Sequence, residues 1–212
     1  MLEILITGTG RCGTGFVKNL LITAGVRCTH EGMFNPMGWG YALEQMRLMN
    51  ERPEWKWIAE SSWCGSVYLD RPELDDVTVV HLVRHPKKVL DSILREWSSL
   101  HPYYNPHYHW LTRHLPKLTE YKTPAGKAAY KVLTLNRLVE ARADMRHRIE
   151  DDPKELLLAL GIDWGERDLF NNPEHNAHPG RVESDVQLAD LPVEFQGPME
   201  EMSGRYGYEW PA

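Results

Sequence analysis

Residues 1–16 read MLEILITGTGRCGTGF, and the stretch GTGRCGTG at 8–15 admits two frames. Gly8, Gly10 and Gly13 give G-x-G-x-x-G, the spacing of a dinucleotide turn; Gly8 to Gly13 also gives G-x-x-x-x-G, the frame of a mononucleotide phosphate loop. A triphosphate loop continues with Lys and then Ser or Thr. This chain continues with Thr14 and Gly15, so it lacks both the lysine for the β- and γ-phosphates and the hydroxyl that holds magnesium. The loop suits phosphate but not a metal-bound triphosphate.

The flanks explain why phosphate is expected here. Leu2, Ile4, Leu5 and Ile6 form an apolar run of strand length, and Phe16, Val17, Leu20 and Leu21 recur with helical spacing, so the glycines occupy a strand-to-helix turn. A helix N-terminus there presents unpaired N–H groups and the positive end of a dipole, and glycine lets an anion approach the backbone. Arg11, within the loop, adds a guanidinium able to hold two phosphate oxygens.

Composition bounds the class. The 212 residues, 42% hydrophobic and 25% charged, suit one globular domain over 1–212 with a sizeable core. A net charge of −6 speaks against non-specific binding to nucleic acid or anionic membrane. No apolar run reaches the ~20 residues of a membrane span, and a strand stands where a signal peptide would need a basic head and an apolar core, so a cytoplasmic protein is expected. Cys12, Cys28 and Cys64 are odd in number without C-x-x-C spacing, which fits a reducing compartment and no zinc site. Cys12, beside Arg11 at a helix N-terminus, is either a thiol of lowered pKa or a residue small enough for the turn.

Strand-like and helical patterns alternate along the chain: a strand at 2–7, a helix from about 15, a strand at 26–29, a helix near 39–50, strands at 57–61 and 77–83, and a helix from Pro86. Then come a helix at about 127–143, a strand at 145–149 and a helix in PKELLLALG with Pro153 at its start and Gly161 as its C-terminal stop. The pattern predicts an α/β fold of three layers, a mostly parallel central sheet with a P-loop-like phosphate-binding turn after the first strand. Residues 165–212, rich in Pro, Asn and Gly, read as an irregular covering tail.

A second stretch, VTVVHLVRHPKKVLDSIL at 77–94, places Arg84 at the carboxyl end of a strand, where open parallel sheets bind ligands. Pro86 starts a helix whose buried face is marked by Val89, Leu90, Ile93, Leu94 and Trp97. Ser92 lies six residues beyond Pro86, roughly 9 Å along the axis, so Arg84 and Ser92 can share an anion resting against that helix.

Together the two stretches resemble the prokaryotic type of sulfotransferases that use 3′-phosphoadenosine 5′-phosphosulfate. That family's 5′ loop, commonly Lys-Ser-Gly-Thr-Thr-Trp or Arg-Ser-Gly-Thr, is matched by Arg11-Cys12-Gly13-Thr14-Gly15-Phe16. Its 3′-phosphate motif, Arg with Pro two and Ser eight residues later, is matched by Arg84, Pro86 and Ser92, about seventy residues downstream. MRHRIEDDPKELLLALGID resembles the family's later strand, acidic turn and Pro-started helix, so the likeness spans roughly residues 2–163.

The resemblance implies metal-independent, in-line transfer of a sulfuryl group to a hydroxyl or amine acceptor, with a base taking the proton and a cation steadying the leaving phosphate. It assigns the 5′-phosphosulfate to the loop from Arg11 to Gly15, including the Thr14 hydroxyl. It assigns adenine stacking to Phe16, unless that ring is core, and 3′-phosphate binding to Arg84 and Ser92, with Arg181 in HPGRV as a late basic contact. Arg11 stands where many members carry a catalytic lysine; a guanidinium does not readily give up a proton, so its help is electrostatic. The base falls to Glu31 or His30 in CTHEGMF, after the second strand, and their ordinary pKa values of ~4.3 and ~6.5 leave both open. The aromatic- and His-rich segment at 97–114, WSSLHPYYNPHYHWLTRH, reads either as a lid over a small-molecule, carbohydrate or lipid acceptor or as a loop packed by its own rings. Neither the acceptor nor the oligomeric state is written in the sequence.

Two other functions compete. A nicotinamide-dependent Rossmann oxidoreductase would use Glu31, eighteen residues after Gly13, as its ribose-binding acid, but it leaves Arg84 and Ser92 unexplained and finds no Tyr-x-x-x-Lys pair. A non-catalytic nucleotide-binding relative would keep the loop and have lost the base.

Overall fold

The computed structural model describes residues 2–51, 59–99, 106–169 and 186–210. In chain order these form β1 (Ile4–Thr7), α1 (Thr14–Thr23), β2 (Cys28–His30), α2 (Trp39–Glu51), β3 (Ala59–Ser61), β4 (Thr78–Val83), α3 (Pro86–Ser99), α4 (Pro106–His114), α5 (Pro124–Glu140), β5 (Met145–Arg148), α6 (Pro153–Ala159) and α7 (Val193–Arg205). The five strands make one parallel sheet in the order β2-β3-β1-β4-β5, with Ile4 beside both Ala59 and Thr78 and Val80 beside Met145. The expected α/β class and parallel sheet are found.

Alternation along the strands builds the three layers, because successive side chains point to opposite faces. Leu5 and Val79 pack with Phe34, Ala42, Trp110, Leu135 and Val139, which brings α2, α4 and α5 onto one face. Ile6, Val80 and Leu82 pack with Val17, Leu20, Leu21, Leu156 and Leu157, which brings α1 and α6 onto the other. A third cluster joins α3, α5 and α7 around Val83, Leu90, Ile93, Val132 and Met199.

Local chemistry sets the helix ends. Thr123 accepts the Gly126 N–H at 3.1 Å and Asp152 accepts the Lys154 N–H at 2.9 Å, and each helix has proline at its start; a cap of this kind is worth about 1 kcal/mol. The Thr123 cap starts α5 at Pro124, three residues ahead of the predicted onset. Gly161, with φ of 66°, ends the chain's turn after α6 as expected.

Two expectations are corrected. The tail is not wholly irregular: α7 spans Val193–Arg205 and buries Phe195, Met199 and Met202 on one stripe. The described part of the His- and aromatic-rich segment is not a loop: α4 sinks Trp110 and Leu111 into the core, where the Trp110 indole donates to Tyr68 Oη at 3.1 Å.

Candidate functional site

The strand order reverses around β1: the chain moves outward to β2, returns through β3, and crosses to β4 on the far side of β1. In open α/β sheets such a reversal leaves a crevice at the carboxyl ends of the strands. The glycine loop, Glu31 and Arg84 follow those ends, and α3, α4 and α5 contribute Ser92, His107 and Lys131.

The glycine loop leaves β1 there. Gly13, at φ of 105°, is the N-terminal boundary of α1, and no side chain caps that helix end. A Cβ at Gly13 would lie 2.7 Å from the Ile149 side chain, and one at Gly8 would collide with the Leu82 carbonyl oxygen. Glycine is therefore demanded by close approach at Gly8 and by both backbone and space at Gly13. The cradle matches what a phosphate needs: an uncapped helix N-terminus behind a turn whose own residues Gly8, Gly10 and Gly13 carry no side chains.

Three sequence-predicted residues converge on its mouth. Arg11 Nε donates to Ser92 Oγ at 2.9 Å, and Arg84 Nη1 donates to the Arg11 carbonyl at 3.2 Å. Ser92 is buried on α3, so the hydroxyl that was to share an anion with Arg84 sits against the loop itself. Glu96, one turn further along α3, stands 3.8 Å from Arg11 Nε.

Thr14 opens α1 and is buried; its hydroxyl shares a hydrogen bond with His30 Nε2 at 3.1 Å, while its carbonyl accepts from Ser61 Oγ at 2.8 Å. Phe16 is half-buried against the α1 and α6 cluster. Cys12 is buried in that same cluster, and burial pushes its thiol pKa up against the backbone amides and Arg84 that would lower it. The reactive-thiol alternative is thereby corrected. Gly15 follows Thr14 in the first turn of α1. Arg181 lies outside the described residues.

His30 is the last residue of β2 and Glu31 follows it. Glu31 Oε2 lies 3.4 Å from His107 Nε2, and its Oε1 lies 3.9 Å from His30 Nε2. Burial alone would raise the Glu31 pKa, but hydrogen bonds from His107 and the Trp63 indole, with the charge of the two histidines, hold it below the usual carboxylate range. Burial pushes His30 the other way, below 6.5, against the pull of Glu31. At neutral pH the pair is a carboxylate beside a neutral imidazole, and both can accept a proton. Arg11 (φ 63°) and Glu31 (φ 52°) are the non-glycine residues of positive φ among those described. Such conformations cost of order 1–3 kcal/mol and collect at functional sites.

The loop bearing Glu31 is anchored from beneath by Glu60 on β3, fully buried, which accepts the Thr29 hydroxyl and the N–H groups of Met33 at 3.2 Å and Phe34 at 3.3 Å. Burial pushes its pKa up to about 7 despite those donors.

Sequence reasoning missed His107, Trp63 and Lys131. His107 enters from the first turn of α4; Trp63 opens a 3-10 turn after β3, its ring tilted against the His107 ring at 5.6 Å between centroids; Lys131 Nζ lies 4.2 Å over the Trp63 ring. A signal for Lys131 existed, since it interrupts an apolar stripe of Ala128, Val132 and Leu135 on α5.

No protein-family model and no curated protein matches the chain. Among solved structures it resembles the sulfotransferase domain from the olefin synthase of Synechococcus PCC 7002, at 15% identity and a TM-score of 0.56, over 99% of this chain and 95% of that one. The chain thus has a sulfotransferase-like fold. Among the described residues no helix is long and apolar enough to cross a membrane.

Proposed function

We propose that the protein transfers a sulfuryl group from 3′-phosphoadenosine 5′-phosphosulfate to the hydroxyl of a small-molecule, carbohydrate or lipid acceptor, an amine being the other acceptor of matching chemistry. The observation that carries this reading is the meeting of Arg11, Ser92 and Arg84 at the mouth of an uncapped, glycine-lined helix N-terminus. Two guanidinium groups beside one loop suit a ligand with two phosphates, one against α1 and one against α3. The sulfotransferase-like fold supports the same assignment.

The donor supplies sulfur bonded through a phosphate oxygen: the acceptor oxygen forms the new S–O bond, the old one breaks, and its electron pair stays on the phosphate. Glu31 takes the acceptor's proton as the new bond forms, with His30 the alternative base 3.9 Å away. The first-turn amides of α1, the Thr14 hydroxyl and Arg11 meet the charge growing on the leaving phosphate. Arg84 and Ser92 hold the 3′-phosphate and fix the nucleotide in register. No residue of the loop supplies a magnesium ligand of the triphosphate kind, so the reaction is expected to run without metal.

The test is transfer from radiolabelled donor to a panel of hydroxyl and amine acceptors in chelator-treated buffer. Labelled product with at least one acceptor, lost in Glu31→Gln, supports the reading. Absence of transfer, together with saturable binding of NAD, would replace it with the oxidoreductase; absence of transfer with tight nucleotide binding would point to an inactive relative.

A further inference from the structure

Lys131 sits in the middle of α5 and is only 5% exposed. Among the described residues it forms no hydrogen bond or ion pair; the group against it is the face of Trp63, 4.2 Å from Nζ to the ring centroid, with Glu96 attracting it from beyond ion-pair distance. A cation–π contact is worth about 0.5–2 kcal/mol, far less than the several kcal/mol needed to desolvate an ammonium. The flanking stripe of Ala128, Val132 and Leu135 would accept leucine or methionine at that position, so packing does not call for lysine.

Its direction is informative. A Cβ built on Gly10 would lie 3.5 Å from Nζ and 3.1 Å from the Trp63 ring, so the ammonium stands against the glycine loop, on the side where Trp63 meets Glu31. We propose that Lys131 Nζ is a direct ligand of the anion held by the loop, reaching the 5′ end of the bound nucleotide beside the acceptor. The inference rests on the nucleotide reading above. It gives the site a second cation near the transferred group, and one that, unlike the Arg11 guanidinium, adjusts its protonation near neutral pH.

The charged neighbours agree. Burial lowers the Lys131 pKa to about 8; the carboxylate of Glu96 on α3 opposes that shift and the Arg11 guanidinium adds to it, while the buried thiols of Cys64 and Cys12 stay neutral. A bound phosphate would supply the missing counter-charge and draw a proton onto Nζ when binding occurs above pH 8.

The experiment is calorimetric titration of adenosine 3′,5′-bisphosphate into wild type, Lys131→Met and Lys131→Arg, at pH 7 and at pH 8.5 in buffers of different ionisation enthalpy, with the melting temperature of each unliganded protein. Loss of a charge-assisted contact predicts roughly tenfold to a hundredfold weaker binding by Lys131→Met, partial recovery by Lys131→Arg, and proton uptake by wild type at pH 8.5 that Lys131→Met lacks. Unliganded Lys131→Met should melt at or above the wild-type temperature, because a buried unpaired charge is removed. Equal affinity in wild type and Lys131→Met overturns this inference and leaves the nucleotide reading standing. Should Lys131→Met fail to fold, Lys131→Gln takes its place in the same titration, and wild-type affinity in that variant overturns the inference. A wild type that does not bind the bisphosphate overturns both.

Discussion

Arg11 and Ser92, 81 residues apart in sequence, meet through a hydrogen bond of 2.9 Å from Nε to Oγ. That contact ties the glycine loop after β1 to the helix after β4, and Arg84 closes the triangle through the Arg11 carbonyl. Among the described residues Arg84 forms no ion pair, and the carboxylate paired with Arg11, Glu96, stands 3.8 Å away and is itself 44% exposed. Two guanidinium groups gathered with so little compensation make an electropositive mouth, which is stable with an anion in it and costly without one.

Arg84→Ala should therefore weaken adenosine 3′,5′-bisphosphate by roughly 2–3 kcal/mol, the worth of a charge-assisted contact to phosphate. Adenosine 5′-phosphosulfate, which lacks the 3′-phosphate, should bind wild type and variant about equally. Calorimetry on both ligands checks this; equal losses for the two would mean that Arg84 acts by holding the Arg11 carbonyl.

Glu31→Gln preserves size and most hydrogen bonding but cannot take a proton, so turnover should fall by roughly 10²–10⁴ while bisphosphate affinity barely moves. The pH profile assigns the base independently. A base works deprotonated, so activity is lost as pH falls through its pKa. The Glu31 value is held below its usual 4.5, which puts the acidic limb of kcat/KM below that pH; a His30 base, lowered from 6.5, would put the limb higher. An acidic limb above the usual carboxylate value of 4.5 that disappears in His30→Ala would transfer the role to His30.

Glu60 controls a different pH dependence. Its folded pKa is raised to about 7 from 4.5 by burial, so between those values the folded chain binds a proton that the unfolded chain has released, and stability falls as pH rises through that window. Glu60→Gln can still accept from Met33 and Phe34 and can donate to Thr29, and it removes the titration. The difference in melting temperature should move in the variant's favour from pH 4.5 to 7 and level off above. Parallel melting curves across that range would show that Glu60 is ionised in the folded protein throughout.

The fold was legible where local signals agree with the tertiary outcome. The apolar run at 2–7, the glycine turn and the Pro86 helix carry their own boundaries, which is why the loop, Arg84 and Ser92 could be expected together, and hydrogen bonds through Arg11 do bring them together. Helix α7 escaped because Gly197, Pro198 and Gly204 dilute its propensity, although Phe195, Met199, Met202 and Tyr206 keep helical spacing and are buried. Trp63, His107 and Lys131 belong to three separate elements and become neighbours only when α4 and α5 cover the sheet. Spacing along the chain carries no trace of that meeting. Glu60 was silent for a similar reason: its partners, Thr29, Met33 and Phe34, lie on the preceding strand and loop.

The most direct test of the central claim is calorimetric titration of adenosine 3′,5′-bisphosphate into the wild-type protein with EDTA present and NAD as the comparison ligand. The account predicts saturable one-to-one binding that is unchanged by magnesium, with a stability gain of about 2.7 kcal/mol at ~100 times Kd, and no binding of NAD. Binding of NAD without the bisphosphate, or bisphosphate binding that requires magnesium, would contradict it.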